Sequence, residues 1–292
     1  MALTPRALLS AAAVVAMAFV ALLLLAYWSP GARWLDASAL AGFLNLQGPW
    51  VTSVTARLVQ LGNPVPFALI GCALAGVALA RGRPRMAGLV LALLALTSVS
   101  SQLLKALFAY PRADAKIADA HIDPAAFPSG HATAAMTLAI ALILVMPPRL
   151  RVPAGIVGVG IALGVSFSIV SLGWHLPSDA VGGFLLATGW ALVLLAALRA
   201  AETRFPERGG RTRAVAIMAG AVDRAAAIGL TAVLVVGAAV TAVVATILVV
   251  FRLPDVVDYA QDHTAFVVVA AAIAVSAVGL LGVLAAAIAR RG

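Results

Sequence analysis

Eight long apolar stretches constrain this chain more than any other feature of its sequence. A helix that crosses the hydrocarbon core of a bilayer needs roughly 20 mostly apolar residues. The stretches lie at about 7–28, 64–80, 86–107, 131–146, 153–173, 178–198, 226–250 and 264–288. Only 11% of the 292 residues are charged, whereas a typical soluble domain has about 25%. The pattern therefore excludes a soluble globular fold and predicts an all-α, polytopic membrane helix bundle.

The distribution of polar residues divides the chain into three parts. The stretch from about 201 to 225 is basic and contains glycine, and it separates six apolar stretches from the last two. We predict a six-helix domain over residues 1–200, a basic cytoplasmic linker over 201–225, and a C-terminal transmembrane hairpin over 226–292. The single cysteine excludes a disulfide framework and any multi-cysteine zinc site.

The placement of the basic residues predicts the orientation of the bundle. Alternate connections, together with the two termini, hold 14 of the 20 lysines and arginines. Basic residues accumulate on the cytoplasmic side of membrane proteins. Both termini are therefore predicted to be cytoplasmic, and the net charge of +9 is explained by topology rather than by nucleic-acid binding.

Three polar segments fall on the predicted outer side of the bundle. They are KALFAYPR at 105–112, PSGH at 128–131 and SIVSLGWHLPSD at 168–179. Lys105 follows Arg85 by about 20 residues, or roughly 30 Å of helix, which places it at the far interface. The second segment opens a helix from that same side and the third joins two helices there. All three are expected to meet at the level of the lipid headgroups.

Helical spacing predicts two polar stripes that face the interior of the bundle. Intervals of three and four residues place side chains on one face of a helix. The two stripes are Ser98, Gln102 and Lys105, and Ser168, Ser171 and His175. An equally weighted alternative is that the serines and the glutamine only form hydrogen bonds to neighbouring helices.

These residue types suit the binding of a phosphoryl group. Lysine supplies a point charge and arginine a planar fork that bonds two oxygens, the roles expected of Lys105 and Arg112. Ser129 can cap the following helix, and Gly130 lets a phosphate approach the free backbone N–H groups at the positive helix end. The segment therefore predicts an anion-binding pocket.

Two histidines and an aspartate supply the chemistry. His175 can attack phosphorus, because neutral imidazole is nucleophilic near pH 7. Asp179, four residues on, can hold the other ring nitrogen and stabilise the charged intermediate. His131 stands beside the pocket and can donate a proton to the leaving oxygen. Pro177 suits a first helical turn, so a bend is predicted between His175 and Asp179.

In order and spacing, the three segments resemble the signature of the type 2 phosphatidic acid phosphatase superfamily, which also includes vanadium haloperoxidases. That signature is Lys-x6-Arg-Pro, Pro-Ser-Gly-His and Ser-Arg-x5-His-x3-Asp. Two positions depart from it: Ala113 replaces the proline of the first motif and Ile169 the arginine of the third. We hypothesise that Lys116, in the same predicted outer loop as Arg112, supplies the missing charge.

The resemblance implies catalytic and phosphate-binding roles that agree with the chemistry above. It implies a nucleophilic His175 oriented by Asp179, with His131 as general acid. It implies phosphate binding by the residues that match the first two motifs, and an auxiliary role for Ser168. It implies no metal and no cofactor. From its sequence, the loop that holds His121 is predicted to be solvated. The phosphate-binding residues are Lys105, Arg112, Ser129 and Gly130.

The predicted function is an integral membrane lipid phosphatase of the bacterial cytoplasmic membrane, working at the outer leaflet through a phosphohistidine. Its expected substrate is a polyprenyl diphosphate, or else a phospholipid phosphate such as phosphatidic acid or phosphatidylglycerophosphate. Two alternatives stay open. One is a lipid phosphotransferase that uses the same histidine, and the other is a catalytically weak lipid-binding or transport protein.

Overall fold

A computed structural model describes residues 3–109, 122–206 and 213–289 of the chain. Within these ranges the protein is all-α, with eleven α-helices, two short 3₁₀ turns and no strand. The helices are α1 (Pro5–Trp28), α2 (Pro30–Asn45), α3 (Pro49–Leu58), α4 (Pro64–Ala80), α5 (Pro84–Leu107), α6 (Gly130–Val145), α7 (Arg151–Ser171), α8 (Pro177–Arg204), α9 (Arg213–Phe251), α10 (Leu253–Asp262) and α11 (Thr264–Ala289).

Prolines and short polar side chains set where many of these helices begin. Proline occupies the first turn of α1 to α5, α8 and α10, where its missing N–H costs no helical hydrogen bond. Thr4 and Ser29 precede α1 and α2, and their hydroxyls accept from the backbone N–H three residues later. The helix starts are therefore encoded locally.

Each of the eight predicted apolar stretches lies on a helix, namely α1, α4 to α9 and α11. In the described part of the chain, six helices are long and apolar enough to cross a membrane. The count rises to seven if the pair formed by residues 49–62 and 64–80, bent by 57°, is one span. The helix α6 is apolar but has only 16 residues. The all-α, polytopic membrane fold predicted from the sequence is confirmed.

The connections hold three helices that the hydropathy pattern did not predict. Helices α2 and α3 follow α1, and α10 lies between α9 and α11. They are 16, 10 and 10 residues long, too short to span a bilayer. The helix α9 also begins earlier than predicted, at Arg213, so α8 and α9 occupy most of the stretch predicted as a linker.

Helix α6 is the centre of the bundle. Almost every residue from Ala132 to Val145 is buried, because α4, α5, α7, α8 and α11 all pack against it. A helix that is apolar on every side is typical of a fully surrounded position. Its N-terminus is thereby fixed by neighbours on all sides.

The last helices differ in how they pack. Helix α11 packs against α2, α7 and α8, and Ile273, Leu281 and Leu284 are buried there. The Phe266 ring lies 4.8 Å from that of Phe43 on α2. Almost all the apolar side chains of α9 from residue 233 to residue 250 remain exposed. Helix α11 therefore belongs to the same packed body as the preceding helices.

Candidate functional site

The backbone joins the second and third polar segments directly. The Ser129 N–H donates to the carbonyl oxygen of Asp179 over 3.0 Å. Ser129 also caps α6, because its hydroxyl accepts from Ala132 N at 3.3 Å and its carbonyl accepts from the Thr133 hydroxyl at 2.7 Å. The N-termini of α6 and α8 are thus held together at one end of the bundle. This end, where α5 and α7 finish and α6 and α8 begin, is called the site end below.

Two glycines allow α8 to approach α6 and the segment before it this closely. A Cβ atom at Gly183 would lie 2.8 Å from Thr133 N and 2.9 Å from the Ser129 carbonyl oxygen. A Cβ at Gly182 would lie 2.7 Å from the Phe127 ring. The contacts at Gly183 are with backbone atoms, which cannot rotate away. Glycine at this position is therefore required by the distance between the helices.

We expect Gly183→Ala to disrupt the site end. The added methyl group would push α8 away from α6 and strain the Ser129–Asp179 hydrogen bond, at a cost of about 1–3 kcal/mol. The thermal midpoint in detergent should fall, measured by fluorescence or circular dichroism. Gly189→Ala is the matched control on the same helix, because its Cβ would meet only Val15, at 3.8 Å. Equal thermal midpoints for the two variants would contradict the interpretation.

The turn between α7 and α8 presents His175 to Asp179. Helix α7 ends at Ser171, and Gly173 follows two residues later with a φ of 70°, the left-handed conformation that favours glycine. Helix α8 begins at Pro177, so the predicted bend is present. His175 Nδ1 lies 3.2 Å from Asp179 Oδ2, which also accepts from Leu176 N at 3.1 Å. Asp179 is fully buried, and this pairing fixes the imidazole ring.

A second carboxylate, which the sequence analysis did not single out, supports this turn. Asp36 on α2 is buried, and it accepts from both the backbone N–H and the hydroxyl of Ser178. Ser178 lies between His175 and Asp179 in the chain. Asp36 is 142 residues away in sequence, so no local pattern could have indicated the contact. It holds the first turn of α8 in place.

Lys105 lies beside the N-terminus of α6. Its Nζ is 3.8 Å from the point where a Cβ of Gly130 would stand, and Ser101 Oγ is at the same distance. All three residues line a cavity of about 520 Å³. The predicted stripe of Ser98, Gln102 and Lys105 faces this same cavity. The first and second polar segments therefore converge, as far as the structure describes them.

His131 lines the cavity and is held from the side by the turn before α4. Its Nε2 lies 3.0 Å from Asn63 Oδ1, a hydrogen bond in which the ring N–H donates. A Cβ at Gly62 would stand 2.9–3.0 Å from His131 atoms, and the Trp174 ring centroid lies 5.8 Å from that of His131. Asn63 was not predicted as a site residue. Its place before a proline indicated only a helix start.

The titratable groups of the site end lie close enough to interact electrostatically. His131 interacts electrostatically with His175 and Lys105, and Lys105 with Asp179 and Asp123. His175 does not line the cavity itself, and only about 7% of its surface is exposed. The arrangement combines a lysine, a helix N-terminus and a paired histidine. Such a set can bind an oxyanion and attack it.

The remaining predicted residues fall outside this cluster or outside the described chain. Arg112, Lys116 and His121 lie outside the described residues. The Ser168 hydroxyl donates to the Gly164 carbonyl of its own helix at 2.6 Å. Ile169 is fully buried and belongs to the main hydrophobic core. The position that holds arginine in the related signature is thus part of the apolar packing here.

Among the residues that the structure describes, no three His, Cys, Asp or Glu side chains are grouped closely enough to hold a metal ion.

A known protein family matches the part of the chain that holds most of these residues. The family model of the PAP2 superfamily matches residues 86–203, which include Lys105, His131, His175 and Asp179. The chain therefore contains a PAP2-superfamily segment, and the resemblance predicted from the sequence is confirmed there. The match supports a phosphatase of that superfamily.

One solved structure is similar to this chain. It is the crystal structure of the first transmembrane PAP2 type phosphatidylglycerolphosphate phosphatase, from Bacillus subtilis. It has a TM-score of 0.48 and 22% sequence identity, and the alignment covers 70% of this chain and 99% of that chain. No curated protein matches the chain.

Proposed function

We propose that this protein is a lipid phosphatase that removes phosphate from a membrane lipid through a phosphohistidine on His175. The observation that carries the proposal is the convergence of Lys105 and Gly130 on one cavity, together with the His175–Asp179 pair bound to the same helix start. A lysine and a helix N-terminus bind phosphate oxygens, and a histidine held by a carboxylate is a nucleophile.

The geometry supports a two-step reaction. Asp179 holds Nδ1 of His175, which leaves the Nε2 lone pair to form a bond to phosphorus. The bond from phosphorus to the lipid oxygen breaks, and His131 gives a proton to that oxygen. Water then attacks the phosphohistidine, His131 takes its proton back, and His175 returns to the neutral form with release of phosphate. Lys105 and the N–H groups of α6 stabilise the charge that builds up on the phosphoryl oxygens.

The lining of the cavity favours an amphiphilic substrate. Beyond the polar residues near His131, the walls are apolar side chains of α4 and α5, including Phe67, Leu91 and Leu94. A phosphate at the N-terminus of α6 can therefore have its hydrocarbon tail against these helices. We propose a polyprenyl diphosphate as the substrate, or else phosphatidic acid or phosphatidylglycerophosphate. The preference for the first rests on a bacterial cell-envelope role, not on any particular side chain.

The distribution of arginines supports an active site that faces outward. Arg81, Arg83 and Arg149 lie at the end of the bundle opposite to the site end, where Arg81 pairs with Asp223 at 3.0 Å. Because basic residues favour the cytoplasmic side, we propose that both termini are cytoplasmic and that the site end lies at the outer leaflet of the cytoplasmic membrane.

The test is phosphate release from a panel of lipid phosphates by purified protein in detergent. The panel contains a polyprenyl diphosphate, phosphatidic acid and phosphatidylglycerophosphate, with and without EDTA. We expect release from at least one lipid, unchanged by EDTA, since lysine and backbone N–H groups supply the positive charge. Transfer of labelled phosphate to an acceptor other than water would indicate a phosphotransferase. No transfer and no release from any lipid would contradict the proposal.

Asn63 should act as a positioning residue for His131. We expect Asn63→Ala to lower kcat about tenfold, with little change in KM, because the hydrogen bond that orients the proton donor is lost. The loss should shrink for an aryl phosphate such as p-nitrophenyl phosphate, whose leaving group needs no proton. The readout is kcat for both substrates.

Asn45→Ala provides the matched control for this variant. Asn45 also lies 3.0 Å from a histidine nitrogen, that of His263, but at a distance from the cavity. Equal losses for the two asparagine variants, or an equal loss for both leaving groups, would show that Asn63 does not act through His131.

A further inference from the structure

We propose that Ser101 is a phosphate-binding residue, placed between Lys105 and the N-terminus of α6. The inference rests on the proposed function for the identity of the anion. Ser101 belongs to none of the three polar segments that the sequence analysis singled out. Three observations support the proposal: the Ser101 hydroxyl has no hydrogen-bond partner among the described residues, it is buried, and the residue lines the cavity.

The hydroxyl of Ser101 differs from those of Thr97 and Ser100 on the same helix. A serine or threonine in a helix commonly donates to the carbonyl oxygen four residues earlier. Thr97 does so toward Leu93, and Ser100 toward Leu96. Ser101 Oγ has no hydrogen-bond partner among the described residues. Its hydroxyl is therefore available to a group that the protein itself does not supply.

Burial makes that unused hydroxyl costly. Ser101 is only 2% exposed, and a buried polar group without a partner is destabilising. A bound ligand oxygen would remove this cost. The cavity wall at Ser101 provides the access, because Ser101, Lys105 and Gly130 line the same cavity.

The surroundings of Ser101 select an anion as that ligand. Ser101 Oγ and Lys105 Nζ each lie 3.8 Å from the point where a Cβ of Gly130 would stand. They are four residues apart on α5 and so share a helix face. Gly130 is the first residue of α6, whose free N–H groups carry partial positive charge. Three kinds of donor therefore point to one small volume, as a tetrahedral oxyanion requires.

This placement also bears on the missing arginine. Ile169 occupies its position in the third segment and is buried in the apolar core. Ser101 adds a neutral donor from a different helix, at the Lys105 side of the cavity. It is therefore an additional neutral contact for the phosphate, rather than a replacement charge.

The test measures binding of inorganic phosphate, which does not depend on turnover. Wild type, Ser101→Ala and Ser101→Thr are titrated with phosphate in detergent by calorimetry or ³¹P NMR. We expect Ser101→Ala to raise the dissociation constant for phosphate about tenfold, because the variant loses one hydrogen bond to a charged group. Ser101→Thr keeps the hydroxyl and should bind within about threefold of wild type.

Ser166→Ala is the matched control. Ser166 is also fully buried and also has no hydrogen-bond partner among the described residues, but it lies on α7 and does not line the cavity. It should leave phosphate binding unchanged. Unchanged binding in Ser101→Ala, equal weakening in Ser101→Ala and Ser166→Ala, or no phosphate binding by wild type would each overturn the proposal. Phosphate binding that depends on Ser101, without release from any lipid, would overturn the proposed function but not this site.

Discussion

Replacement of His175 by alanine should reduce phosphate release by at least about 10⁴-fold, because a nucleophile that forms the covalent intermediate has no substitute. The side chain is held by Asp179 at 3.2 Å and has no neighbouring group of the same kind on its turn. The measurement is the rate of phosphate release from the best lipid of the panel. Wild type, quenched during turnover with labelled substrate, should carry phosphate that is stable to base and labile to acid, as expected of a phosphohistidine.

His263→Ala is the control for this experiment. His263 stacks on Tyr259 at 4.2 Å, away from the cavity, so its loss should leave both the rate and the labelling unchanged. The rate of phosphate release by Asp179→Asn should lie between those of His175→Ala and His263→Ala. Asparagine keeps the shape of the side chain but removes the charge that stabilises the ring. Labelling that survives in His175→Ala would remove His175 from the role of nucleophile.

Replacement of Lys105 by methionine should lower kcat/KM by about 10²–10³-fold. Methionine keeps the length of the side chain and removes its charge. The phosphoryl oxygens beside Gly130 then lose the ammonium group, which lies 3.8 Å from the point where a Cβ of Gly130 would stand. Lys105→Arg should recover part of the loss, because it restores the charge but not the compact shape of the ammonium group. The measurement is kcat/KM for lipid and the affinity for inorganic phosphate.

Arg252→Met is the control for loss of a positive charge. Arg252 is exposed and pairs with Asp255 at 2.8 Å on the surface, so neutralising it should change neither value. An undiminished affinity for phosphate in Lys105→Met would mean that the anion binds elsewhere.

The helices could be predicted because their signals are local. Most of the apolar stretches are long enough to cross a bilayer, and prolines mark many of the starts, so eight helices were evident without any contact. The short helices α2, α3 and α10 were missed for the opposite reason. Their composition is mixed, as in α10 with its three aspartates, and hydropathy alone does not distinguish such a helix from a loop.

Within the site, the sequence indicated the residues whose relation is also local. His175 and Asp179 are four residues apart across a proline, and Ser129 and Gly130 stand at a helix start. Spacing alone places such pairs together. Asn63 and Asp36 could not be found in this way. Asn63 contacts His131 across 68 residues of chain, and Asp36 contacts Ser178 across 142. An asparagine before a proline has many ordinary roles, and so has an aspartate in a helix of mixed composition.

The chain by itself determined how many apolar helices form and which residues were candidates for a phosphate site, because helix length, capping and the histidine–aspartate interval depend on neighbours in sequence. The tertiary structure decided that Ser101 has an unused hydroxyl, that Ile169 is part of the core, and that α11 packs within the bundle. Those properties depend on which surfaces meet. Close packing around α6, allowed by Gly183, sets that geometry, and no local pattern specifies it.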